Sequence, residues 1–127
     1  MTHTLTWSVP SHVLSVTLVD LIMADEVQAI AKEMYVAIET ETAAAVHLLI
    51  DAREAKIHDK IWNYAKLSLK RHKRCGHVIV IGDSRLSGLI IAIFSKLLSL
   101  HIHYSETTDT ALKFLQERDV AVAEYLA

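Results

Sequence analysis

VHLLIDAREAKIHDKIWNYAKLSLKRHKRCGHVIVIGD, residues 46–83, is the stretch that decides the fold. Two short apolar runs, Val46–Ile50 and Val78–Ile81, bracket a segment in which Ile61, Tyr64, Ala65 and Leu69 recur at three- and four-residue steps. The first run ends at Asp51 and the second at Gly82-Asp83. Apolar runs of this length suit strands covered on both faces, as the central strands of a parallel sheet are. The recurrence between them is that of an amphipathic helix. Asp59 is placed to cap its start, the basic stretch Lys70–Arg74 suits its end, and Gly76 lies beyond it. The unit therefore reads strand, helix, strand, with the right-handed crossover that such units adopt. Asp51 reads as a loop residue satisfying backbone donors beyond a strand end.

Towards the N-terminus the period changes. Leu5, Trp7 and Val9 alternate with Thr4, Thr6 and Ser8, and after Pro10-Ser11 a second alternation runs through Leu14, Val16 and Leu18. Alternation at period two marks half-buried strands, so these residues predict an opening hairpin. From Asp25 onward Val27, Ile30, Ala31, Met34 and Ile38 follow helical spacing, with Asp25 and Glu26 where a helix N-terminus favours negative charge. Towards the C-terminus a third helix starts near residues 84–87 and runs to about Leu98, Ile102 and Tyr104 form a fifth strand, and Thr108 opens a fourth helix through Ala111, Leu112 and Leu115. The order predicts an α/β sandwich: a five-stranded, mostly parallel mixed sheet with an N-terminal hairpin and about four helices, spanning residues 1–127 as one domain.

Composition agrees with that architecture. The 127 residues are 52% hydrophobic and 22% charged, with one Pro and three Gly, a balance that excludes disorder and supplies a core. The formal net charge of −2 gives no broad attraction to nucleic acid or to an anionic membrane, so either partner would need a local basic patch, and no nucleic-acid partner is expected. Cys75 is the one cysteine, and residues 1–10 lack a basic stretch followed by an apolar one, so a reducing cytoplasm is expected. The longest apolar run, Leu89–Leu100, is broken by Ser95, Lys96 and Ser99 and falls short of the ~20 residues of a membrane span.

The segment from Val46 to Leu115 resembles the SpoIIAA-like branch of STAS domains. The resemblance lies in LLIDAR (48–53), in KLSLKRHKR (66–74) before a strand closing in Gly82-Asp83, and in YSETTDTALKFL (104–115). It implies a regulatory protein-interaction module without catalytic residues or a cofactor. Members of that family that antagonise anti-sigma factors carry a phosphorylatable Ser after an Asp at the start of the second helix. Here the place reads Ile57-His58-Asp59-Lys60, so Lys60 stands where the Ser would be. An ammonium cannot accept a phosphoryl group, and the serine switch is expected to be absent. The surface expected to meet a protein partner is Asp51, His58, Asp59, Lys60 and Trp62.

Gly82-Asp83-Ser84 is similar to the nucleophile turn of GDSL-type hydrolases, but no Asp-x-x-His follows it, because Asp109 and Asp119 are followed three residues on by Leu112 and Val122. Asp51 as a phosphoacceptor of a receiver domain lacks the acidic pair and the later Lys that hold Mg²⁺ and phosphate. His47, His77, His101, His103 and Cys75 fall on neighbouring segments without metal-ligand spacing, so no metal is expected. Lys70, Arg71, Lys73 and Arg74 form a basic cluster, read either as a solvated helix cap or as an anion patch. The third helix is apolar over most of its circumference, and Ile90, Ile93, Phe94 and Leu97 are candidates for a homodimer surface or for the wall of an apolar pocket. That pocket, with Trp62 and Tyr64, carries the alternative function, a carrier or sensor of a small apolar ligand or lipid.

Overall fold

The computed structural model of the chain describes residues 3–57, 70–83, 88, 91–92, 95 and 101–127. The alternation of residues 3–18 produces the predicted hairpin: β1 (His3–Val9) pairs antiparallel with β2 (Val13–Ile22). The turn is closed by the His12 amide, which donates to the Val9 carbonyl at 3.0 Å, while Ser11 takes a left-handed φ of 65°. β2 pairs parallel with β3 (Val46–Ile57), β3 with β4 (Cys75–Ile81) and β4 with β5 (Ile102–Ser105). The five strands lie in the order β1-β2-β3-β4-β5.

A sheet that grows in one direction through right-handed crossovers places its crossover helices on one face. α1 (Ala24–Glu39) lies there and buries Ile30 and Ile38 against Leu14, Val16, Leu48, Val78, Val80 and Ile102. Gly88, Ile91, Ala92 and Ser95 are helical as expected of the third helix, and Ile91 packs against the same cluster. α2 (Thr108–Gln116) and α3 (Val120–Leu126) bury Ala111, Leu115 and Val122 against Val9, Val13, Leu49, Ile79 and Ile81. Neighbouring residues such as Leu48 and Leu49 enter different clusters, which is why the central strands read as unbroken apolar runs.

Three details depart from the expectation. β3 does not end at Ile50: β2 runs on beside it from the pair Val13 and His47 to the pair Ile22 and Ile57, so Asp51 is a strand residue and not a loop residue. The pairing steps from Thr17 and Asp51 to Val19 and Glu54, so Ala52 and Arg53 together lie opposite Leu18, the geometry of a β-bulge. Gly76 lies inside β4 rather than beyond a helix end. The C-terminal segment makes two helices where one was expected, because Asp119 caps a second start, its Oδ1 accepting the Ala121 amide at 3.0 Å. The described residues contain three helices with defined ends, against the expected four, and the second predicted helix falls outside them.

Candidate functional site

The C-terminal ends of β3, β4 and β5 all lie at one end of the sheet because these strands are parallel. The connections that leave these three strands gather at that end. The bulge in β3 builds its most organised feature. Asp51 Oδ1 accepts the Arg53 amide at 3.1 Å and Arg53 Nε at 3.0 Å, and Oδ2 accepts Arg53 Nη2 at 2.7 Å. The carboxylate thus satisfies the backbone donor that the bulge frees and grips the guanidinium bidentately. Arg53 Nη2 also donates to Thr108 Oγ1 at 3.4 Å, joining the bulge to the first residue of α2. Arg53 holds the Asp51 carboxyl below its usual range, against the opposing effect of burial.

The Arg53 side chain is 50% exposed although all these bonds fix its course. Beside it Thr17, Leu18, Asp51, Arg53 and Glu54 line an open depression of about 390 Å³. Tyr104 Oη donates to the Gly82 carbonyl at 2.8 Å, and Ser105 Oγ to the Thr107 carbonyl at 2.9 Å, so the ends of β4 and β5 are fixed beside it. Asp83 and Glu106 are exposed there. The arrangement is a held guanidinium among carboxylates, suited to exchanging ion pairs and hydrogen bonds with another surface.

Of the predicted interaction residues, Asp51 belongs to this feature, whereas His58, Asp59, Lys60 and Trp62 lie outside the described residues. So do Ile90, Ile93, Phe94 and Leu97, the candidates for a dimer or ligand surface. Lys70, Arg71 and Lys73 are exposed and non-helical. Arg74 is not part of an anion patch: its guanidinium donates to the carbonyls of Ile38 at 3.0 Å, Glu39 at 3.5 Å, Glu41 at 2.6 Å and Ala43 at 3.1 Å. These are carbonyls at the C-terminal end of α1 and in the connection to β3, where the helix no longer supplies its regular donors. Lys70 Nζ lies 5.4 Å from the centre of the Tyr35 ring, and buried His72 bonds to Glu39, so the basic segment docks on the end of α1. The letters DAREAK (51–56) do not reveal a bulge, so the sequence does not single out Arg53.

The histidines form a second organised region at the opposite, N-terminal end of the strands. His47 Nε2 bonds to Asp119 Oδ2 at 2.7 Å and Nδ1 accepts the His77 amide at 2.9 Å, so the proton is on Nε2. Burial raises Asp119, but the His47 bond and the Ala121 and Val122 amides prevail and hold it low. This Asp-His pair is not visible in the sequence. Both ring nitrogens are occupied, and Gly82-Asp83 lies at the other end of β4. Among the described residues no three His, Cys, Asp or Glu side chains are grouped to hold a metal ion. Burial pushes the Cys75 thiol up to about 11, leaving it unreactive.

The SpoIIAA-like family model matches residues 13–116 of this chain. Among solved structures, an uncharacterized protein from the DUF3478 family with a SpoIIAA-like fold, from Shewanella loihica PV-4, is similar. The two are 19% identical, the match covers 89% of this chain and 91% of that one, and the TM-score is 0.62, a likeness of fold. No curated protein matches. Among the described residues no helix is long and apolar enough to cross a membrane.

Proposed function

Because this chain belongs to the SpoIIAA-like family, we propose that it is a non-catalytic regulatory module that binds a protein partner through the C-terminal edge of its sheet. The observation that carries the reading is the Arg53 guanidinium, held by Asp51 and tied to Thr108 while half of it faces solvent. Ordering a long side chain is one of the costs of association, and here the fold has already ordered it. Arginine is also among the residues that dominate protein interfaces. The partner contributes carboxylates or backbone carbonyls to the guanidinium. It contributes donors to Asp51 and Glu54.

Binding is constitutive with respect to the serine switch of the family, since Lys60 occupies that position. The work is done in a reducing cytoplasm, which the free, buried Cys75 suits. The test is retention of proteins from an extract of the source cells on immobilised wild type and on Arg53→Glu. A partner retained at least about tenfold more by the wild type, with unchanged circular dichroism, is the expected result. Equal retention by both contradicts the reading, and a stoichiometric phosphate adduct on the protein after incubation with extract and ATP contradicts the absence of a switch.

A further inference from the structure

The face of the sheet that carries α2 and α3 has a row of imidazoles running across its strands. The His47 ring on β3 stacks on that of His77 on β4, with centroids 5.4 Å apart and planes 24° from parallel. His77 is 5.8 Å from His103 on β5, and His103 is 4.8 Å from His101. Phe114 of α2 covers the row, edge-on to His77 at 5.5 Å and tilted over His103 at 4.6 Å. The Arg118 guanidinium, in the turn between α2 and α3, lies 3.6 Å from the centre of the Phe114 ring. Asp119 then ties the start of α3 to His47. Titratable rings therefore form part of the contact between the C-terminal helices and this end of the sheet.

We propose that this row is an acid-sensitive latch, in which proton uptake by His77 and His103 loosens α2 and α3 from the sheet. The charges facing the two rings are unfavourable to a second positive charge among them. His47 from β3, His101 from the start of β5 and Arg118 from the α2–α3 turn all surround them, and Arg118 already occupies the cation-attracting face of Phe114. Asp119 opposes this for His77, but its oxygens are engaged by His47 and by the α3 amides, and Glu117 lies 3.6 Å from Arg118. The His47 ring is itself tied into the row, since its Nδ1 accepts the His77 amide.

Both titrating rings are held below the ordinary 6.5. For His77 the causes are burial, then His47 and Arg118, and for His103 burial, then His101, His77 and Arg118. The folded state therefore binds fewer protons than the unfolded chain just below pH 6.5. The contribution of the row is present at neutral pH and is lost as the pH falls through that range. Opening would uncover Val13, Leu49, Ile79 and Ile81, an apolar face separate from the Arg53 edge. Because Arg53 bonds to Thr108 of α2, opening would also release one tie of the proposed interaction site, but the latch rests on the ring contacts and not on that reading.

Hydrogen exchange on the full chain, corrected for intrinsic rates, at pH near 7.5 and near 5.5 tests it. Residues 108–126 should lose at least about tenfold more protection than residues 24–39 on acidification, and the His77→Gln/His103→Gln variant should remove that difference. Equal losses in both segments overturn the latch, as does a variant that keeps the wild-type response. Should the double variant not fold, histidine proton titration of the wild type decides. Leu115 and Val122 methyl signals that move with the midpoints of His77 and His103 support the latch, and methyl signals that stay still overturn it.

Discussion

A β-carbon added at Gly76 would lie 2.4 Å from Nδ1 and 2.7 Å from Cε1 of His47. The imidazole therefore rests directly on the backbone of the neighbouring strand, where any side chain would displace it. That contact explains a glycine inside β4, a position at which a strand otherwise loses packing. Gly76→Ala should lower stability by about 1–3 kcal/mol, the usual range for overpacking. Chemical denaturation measures this. Because the clash is with the ring itself, the cost in a His47→Ala background should be smaller by at least ~0.5 kcal/mol.

One oxygen of Asp119 holds His47 and the other caps α3. Asp119→Ala removes a cap and leaves a buried Nε2–H without its acceptor, so a loss of about 2–3 kcal/mol is expected. Asp119→Asn keeps one acceptor oxygen and can satisfy only one of the two donors. It should fall between wild type and Asp119→Ala in denaturant unfolding.

Arg74 serves four carbonyls at once around the end of α1. Only a planar fork with several donors reaches them together. Arg74→Ala should cost about 2 kcal/mol, and Arg74→Lys should recover less than half of that, measured by thermal or denaturant unfolding.

His3 joins β1 to α1 through Nδ1 to Glu26 at 3.0 Å and Nε2 to Glu33 at 2.7 Å. Two carboxylate partners are both satisfied only when both ring nitrogens donate, so the site favours the imidazolium form. Burial opposes the charge, but the two carboxylates outweigh it and raise the pKa above 6.5. A raised folded-state value means that the stabilisation is complete below 6.5 and is lost as the pH rises through the folded value. The stability difference between wild type and His3→Gln, about 1 kcal/mol with Glu33 half exposed, should be largest at mildly acidic pH and shrink in alkali. Unfolding curves of both proteins across pH measure it.

Much of the fold was legible because its periods are clean. Val78–Ile81, the hairpin alternation and the spacing of Ile30 with Ile38 each sort residues onto the faces they occupy. The second half of β3 was not legible, since between Asp51 and Lys56 only Ala52 and Ala55 are buried and the bulge breaks the alternation that would mark them as strand. Of the site, Asp51 could be placed from its position after an apolar run, but its bond to Arg53 depends on that bulge. His47 and Asp119 are 72 residues apart, and Arg74 reaches Ile38 across 36, so their roles are set by tertiary packing that no local pattern encodes.

The central claim is that a protein partner docks at the C-terminal edge of the sheet, and cross-linking in source-cell extract through amine-reactive reagents tests it most directly. Lys56 is exposed on β3 close to Arg53, whereas Lys70 and Lys73 are exposed on the segment docked at the end of α1. Partner cross-links that concentrate on Lys56 and disappear in Arg53→Glu are the predicted result. Cross-links that concentrate on Lys70 and Lys73, or that persist unchanged in Arg53→Glu, would contradict the account.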